Sequence, residues 1–157
     1  MGHFSPQLDM SMRTSISTRA LWFACWDAAI LSEWWPELTI AKKVGGRIEV
    51  AEVPYKRKKY RHVSGRLLKL KPGEHARFEW RTKGRDATTT VDVYVSQSKK
   101  KSRLRIVESG FTKDDYAAIE VERMRDFWRD RAGDLQEWLE APGNAERLEA
   151  AAKAAAK

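Results

Sequence analysis

The stretch Glu74 to Ser109, EHARFEWRTKGRDATTTVDVYVSQSKKKSRLRIVES, decides how this chain folds. In it Ala76, Phe78 and Trp80 alternate with Arg77 and Glu79. Val91, Val93 and Val95 alternate with Asp92 and Tyr94, and Leu104 and Ile106 with Arg103 and Arg105. A period of two places one set on a buried face and the other toward water. Lys83-Gly84-Arg85-Asp86 and the run Gln97 to Lys101 read as turns between them. Three strands, 74–82, 87–96 and 102–109, joined by short turns form an antiparallel meander.

Upstream the same pattern continues. Tyr60 to Lys71 reads as a long strand ended by Pro72-Gly73, and Arg47 to Val53 as a strand opened by Gly45-Gly46. Leu38 to Lys42 is a further strand, and Pro54 to Lys59 reads as a loop. Near the N-terminus Met10, Met12, Thr14 and Ile16 alternate with Ser11, Arg13 and Ser15, a seventh strand. Between this strand and Leu38, Ser17 or Thr18 caps a short apolar helix reaching about Trp26. Asp27 caps a second, Ala28 to Trp35, which Pro36 stops because the residue before proline leaves the α region.

Downstream lies one long helix. Thr112-Lys113-Asp114-Asp115 fits a capping box, and Ala117, Val121, Met124, Trp128, Ala132, Leu135 and Leu139 make a stripe at steps of three and four. Pro142-Gly143 ends it. A sheet of consecutive strands and one striped helix bury their apolar faces only against each other. The expected organisation is a loose N-terminus, 1–9; one α+β domain, 10–141; and a tail or linker, 142–157, whose LEAAAKAAAK end resembles a helical spacer.

The chain has 157 residues, 42% hydrophobic and 33% charged, which fits a single globular domain and excludes a disordered one. No run approaches the roughly 18 apolar residues of a membrane span, and Met1 to Gln7 lacks the pattern of a secretory leader. A single cysteine, Cys25, forbids an intrachain disulfide and suggests a reducing, cytoplasmic setting. The net charge of +8 bears on partners and solubility. Seven Trp, five Phe and four Tyr supply large rings for a core or a cavity wall.

The order of elements, with Asp27 to Leu31, Glu33-Trp34-Trp35-Pro36, Val44-Gly45-Gly46-Arg47, Gly65, Pro72, Phe78-Glu79-Trp80-Arg81, Ser109-Gly110-Phe111, Trp128, Leu135 and Leu139, resembles the START/Bet v 1-like (SRPBCC) superfamily. Within it the chain is similar to the branch related to the C-terminal domain of the Hsp90 ATPase activator. The Glu-Trp-Trp-Pro segment followed by Lys43-Val44-Gly45 resembles the enediyne-cluster group, which includes the calicheamicin self-resistance protein. The resemblance implies a helix-grip fold: a seven-stranded antiparallel sheet, two short helices and a long C-terminal helix closed round a cavity. Relatives carry lipids and hormones, cyclise or aromatise polyketides, or act as co-chaperones.

No His, Cys and Asp grouping has metal-ligand spacing, nothing resembles a nucleophile elbow or a P-loop, and no cofactor is implied. Parity places Glu108 with Leu104 and Ile106, and Glu52 with Ile48 and Val50, on the inner face. A carboxyl there is a candidate acid, base or ligand anchor, with Glu108 the stronger. The expected cavity walls are Trp35, Phe78, Trp80, Val91, Val93, Ile106, Phe111, Met124 and Trp128. Lys56, Arg57, Lys58, Lys59 and Arg61, with Arg81, Lys83 and Arg85, fall on two turns at one end of a strict meander. By the resemblance that end is the cavity mouth, so these cations form a basic rim that suits an anionic ligand or DNA phosphates.

The leading expectation is a binding protein that sequesters an aromatic, polyketide-like small molecule, for antibiotic self-resistance or biosynthesis, as a monomer or weak homodimer. A cyclase or aromatase using Glu108 and an interaction module, co-chaperone-like or nucleic-acid-binding, are the alternatives.

Overall fold

A computed structural model describes residues 6–55, 58–85, 88–111 and 117–156, with the backbone alone at 53–55 and 58–60. The strand β1 (Leu8–Thr14) is followed by helices α1 (Thr18–Trp26) and α2 (Ala28–Trp34). Strands β2 (Leu38–Ile40), β3 (Arg47–Val50), β4 (Val53–Tyr55), β5 (Lys58–Tyr60), β6 (Val63–Lys71), β7 (His75–Thr82), β8 (Thr89–Ser98) and β9 (Lys101–Ser109) come next. Helices α3 (Ala117–Glu140) and α4 (Asn144–Ala155) complete the chain. β1, β9, β8, β7, β6, β3 and β2 form one antiparallel sheet in that order, and β4 with β5 a separate ribbon. The expected α+β architecture, with its seven-stranded sheet, is the one observed.

Local chemistry sets the helix ends. Ser17 Oγ accepts the Ala20 amide at 3.1 Å to open α1, and Asp27 Oδ2 accepts the Ile30 amide at 3.1 Å to open α2. The Asp27 amide also donates to the Phe23 carbonyl at 2.8 Å, closing α1. The capping box expected at Thr112 to Asp115 lies outside the described residues.

Across the sheet, inward side chains form rows. Leu67, Phe78, Val91, Glu108 and Leu8 are successive register partners from β6 to β1. The next row holds Ile48, Gly65, Trp80 and Thr89. At Gly65 a Cβ would collide with the Glu79 carbonyl oxygen, so only glycine lets β6 lie this close to β7.

Three expectations change. The run Tyr60 to Lys71 is not one strand: β5 ends at Tyr60, β6 starts at Val63, and the register of β6 shifts between Leu67 and Lys69. The segment expected as a loop, Pro54 to Lys59, contributes to the β4–β5 ribbon on either side of residues 56–57, which lie outside the described residues. The third change is at the end of the chain, where the expected tail or linker contains α4, and that helix is packed. Leu148 and Ala152 are buried with Ile16, Ala20, Leu21 and Ala24, because one apolar stripe at i and i+4 suffices to seat a helix against α1. Glu149 then accepts the Ser17 amide at 2.8 Å and the Ser17 hydroxyl at 2.6 Å, joining α4 to the start of α1. Among the described residues no helix is long and apolar enough to cross a membrane.

Candidate functional site

Between the inner face of the sheet and α1, α2 and α3 lies a pocket of about 750 Å³, counting all space outside atoms and including its open side. Centres of water molecules can range over about 70 Å³ of it. That is several times the room one buried water needs. Two layers build its wall. The sheet supplies Ile48, Ala76, Phe78, Trp80, Val91 and Ile106, among others, the helices supply Trp22, Cys25, Trp26, Trp34 and Trp128, and Trp35 follows directly on α2. The i,i+4 spacing of Trp22 and Trp26 on α1 stacks their rings with centroids 5.5 Å apart.

Of the expected wall residues, Trp35, Phe78, Trp80, Val91, Val93, Ile106 and Trp128 line this pocket. Phe111 and Met124 are buried in the adjoining core instead. Trp35, Trp80, Phe127 and Trp128 form a nest of rings there, with centroids 4.9–6.1 Å apart and mostly edge to face.

Glu108 is fully buried, as parity implied, yet it does not line the pocket. Its Oε1 accepts the Trp128 indole N–H at 2.9 Å, and its Oε2 lies 2.6 Å from Thr89 Oγ1. Thr89 Oγ1 is also 3.2 Å from the Trp80 carbonyl oxygen. A hydroxyl has one proton, so with a carboxylate at Glu108 one of these two acceptors goes unmet. A neutral Glu108 satisfies both: its own O–H donates to Thr89, and Thr89 donates to Trp80. Burial pushes the Glu108 carboxyl above the usual range, against the pull of Thr89, Trp128 and Arg85 and with a push from Glu120. The site therefore favours a neutral carboxylic acid sealed behind Trp128.

Glu52 is exposed, because β3 ends at Val50 and parity no longer carries past it. The basic rim also differs from expectation. Lys56 and Arg57 lie outside the described residues, and the side chains of Lys58 and Lys59 are not described. Arg61 donates to the Lys83 carbonyl at 3.5 Å, so it and the turn after β7 are neighbours. Arg81 and Lys83 are exposed, but Arg85 is mostly buried in an ion pair with Glu120 of α3. Of these described side chains none lines the pocket.

The charged residue that does line it is Arg131, which sequence reasoning passed over. It is 4% exposed, with its guanidinium 5.4 Å from the Phe127 ring centre, 5.8 Å from that of Trp35, and 3.2 Å from Asp134. Spacing held the clue, since Arg131 sits three residues after Trp128 and four before Leu135, on the stripe itself. Cys25 also lines the pocket, and burial pushes its thiol up to about 12.

Residues 15–140 match the family described as Activator of Hsp90 ATPase homolog 1-like protein. The chain belongs to that family. Solved structures of the same fold include DynU16, a protein of the dynemicin biosynthetic locus, at 15% identity and a TM-score of 0.72, covering 89% of this chain and 49% of that one. The chain thus spans about half the length of DynU16. CalU16 from Micromonospora echinospora matches at 14% identity and a TM-score of 0.69, covering 94% of this chain and 86% of that one. An Hsp90 activator from Plasmodium falciparum matches at 14% identity and 0.59, covering 78% and 86%. No curated protein matches. The family match and these structures agree on the α+β helix-grip architecture described above.

Proposed function

We propose that this chain binds an apolar, ring-bearing small molecule of the aromatic polyketide kind in the pocket under α3, holding it without turnover. One observation carries the reading: six Trp side chains converge on an open apolar space and leave it unfilled. Rings in such numbers close a core when they interdigitate. Here they wall an apolar space with room for several water-sized groups, open on one side. The resemblance to DynU16 supports a place in the biosynthesis of, or resistance to, an enediyne-type product. A cyclase needs an acid or base in reach of the ligand, and the strongest candidate, Glu108, sits behind Trp128, which favours binding over catalysis.

The test is an NMR titration of the indole N–H signals with aromatic polyketides, fatty acids and a short DNA duplex in turn. Saturable shifts at Trp22, Trp26, Trp35 and Trp80 with an aromatic ligand are expected. Backbone amide shifts in the same spectra confined to Arg61, Arg81 and Lys83 with DNA, and steeply salt-dependent, would replace this reading with a surface-binding one.

A further inference from the structure

Three large apolar side chains stand exposed among the described residues: Val44, Leu68 and Ile119, at 61%, 41% and 51%. Ile119 is near the start of α3, and the other two come from neighbouring places on the sheet. Val44 sits in the turn between β2 and β3. From that turn the Gly45 amide donates to the Leu67 carbonyl at 2.7 Å, and the Leu67 amide donates to the Gly46 carbonyl at 2.9 Å. Leu68 is the extra residue of the β6 bulge: Leu67 pairs with Phe78 and Lys69 with Arg77, which leaves Leu68 no partner in β7. The bulge keeps Leu67 fully buried and turns Leu68 out to water. The turn is a fixed mount for Val44. The Lys43 amide donates to the Ala41 carbonyl and the Gly46 amide to the Lys43 carbonyl, each at 2.8 Å, and a Cβ at Gly46 would collide with both carbonyl oxygens.

Cations flank both apolar tips. Lys42 and Lys43 precede Val44, Lys69 follows Leu68, and all three are exposed. None of the three has an ion-pair partner among the described residues, whereas Glu49 of β3 is within reach of Arg47 and His62, and Glu74 pairs with Lys71. Apolar tips beside unmatched cations have one best complement, an anionic bilayer. Its headgroups take the lysines, and its boundary with the acyl chains takes Val44 and Leu68. The phosphates of a nucleic acid would use the lysines and leave the apolar pair in water. A second copy of this chain would cover the apolar pair, but a twofold contact would set the three lysines against their own counterparts. The run Lys99 to Lys101 between β8 and β9 shows the difference: it is as basic, but no large apolar side chain stands exposed beside it.

We propose that this corner of the sheet, the β2–β3 turn with the β6 bulge, docks reversibly on an anionic lipid bilayer. Val44 and Leu68 enter the headgroup boundary, and Lys42, Lys43 and Lys69 meet lipid phosphates. Ile40 and Ile48, on either side of the turn, line the pocket, so the docking surface adjoins the space where an apolar ligand would be held. None of the five docking residues lines that space, and the docking stands whether or not the pocket takes a ligand.

The experiment is co-sedimentation of the full chain with sucrose-loaded vesicles, of phosphatidylcholine alone or with one third phosphatidylglycerol, at low and high salt. The wild-type chain binds the phosphatidylglycerol vesicles and not the neutral ones, and salt weakens the binding. Replacing the three lysines together, Lys42→Gln, Lys43→Gln and Lys69→Gln, lowers the partition coefficient roughly a hundredfold, about fivefold per charge. Val44→Ser with Leu68→Ser leaves the charge unchanged and lowers it at least about tenfold. Lys99→Gln, Lys100→Gln and Lys101→Gln remove as much charge from the opposite end of β6 and its neighbours and leave most of the binding in place. All these side chains are exposed, so the variants fold as the parent does. No binding to phosphatidylglycerol vesicles overturns the proposal. So does an equal loss in the two lysine variants, which would reduce the effect to net charge. Full binding by the Val44→Ser, Leu68→Ser variant overturns it as well, because the apolar tips would then have no part. A DNA duplex that binds at Lys42, Lys43 and Lys69 where vesicles do not would replace the bilayer with nucleic acid.

Discussion

Trp128 donates its indole N–H to Glu108 at 2.9 Å, and the ring held by that bond faces the pocket that Glu108 does not reach. Wall and carboxyl are thus one unit: Trp128 is oriented by an acid that takes no part in lining the space. A carboxyl with this duty differs in its pH dependence from one that meets ligand.

Because burial raises the folded-state pKa of Glu108 above its unfolded value, the stability it contributes is full below the ordinary glutamate range. That stability is lost as pH rises from there through the raised value, by at most about 1.4 kcal/mol per pH unit. Glu108→Gln keeps an acceptor for Trp128 and a donor for Thr89 and has no charge to bury. Urea unfolding from pH 4 to pH 8 should show the variant gaining on wild type as pH rises. Parallel curves would mean that Glu108 is charged in the fold. Glu108→Leu, which leaves the Trp128 indole N–H without its acceptor, should cost about 1–3 kcal/mol at pH 4.

Leu148 is fully buried and Glu149 holds the amide and hydroxyl of Ser17, so removing residues 142–157 exposes α1. Leu148→Ala should cost about 2–5 kcal/mol and lower Tm by roughly 5–15 °C, and truncation should cost at least as much. A truncated chain with unchanged Tm in differential scanning calorimetry would return this segment to the status of a spacer.

Much of the architecture was legible because strands announce themselves by a period of two. Phe78 and Trp80, Val91 and Val93, and Leu104 and Ile106 all face the interior their parity assigned. The site was less legible, for three separate reasons. Parity assigns a face and not a depth, so Glu108 came out inward but not behind Trp128. A stripe drawn from apolar residues omits an arginine on the same face, which hid Arg131. Low complexity masked the Leu148 and Ala152 pair, because alanine has little pattern to read. Phe127 escaped the stripe too, although it lies three residues after Met124 and is buried beside Trp35 and Trp80.

Cys25 offers a chemical probe of the pocket. A thiol pushed up to about 12 is almost entirely protonated near neutrality, and the thiolate is the reactive form. Iodoacetamide at pH 8 should therefore modify the folded protein at least a hundredfold more slowly than the urea-unfolded chain, as mass spectrometry would record. Equal rates would show that burial does not raise the thiol.

A pocket kept open for a ligand and one left by loose packing respond differently to an added side chain. Ala132 lines the space from α3, between Trp128 and Leu135 on the helix stripe. Ala132→Leu grows a side chain into a volume that no other atom occupies. Filling a cavity of this kind commonly stabilises by about 0.5–2 kcal/mol. A binding protein gives up its function for that gain: Tm should rise or hold while affinity for an aromatic ligand falls at least tenfold. A variant that is destabilised by overpacking, about 1–3 kcal/mol, would show that the side chains already close around this point. A variant that is stabilised and still binds would place the ligand elsewhere. Calorimetry on the one variant, with and without ligand, separates these outcomes.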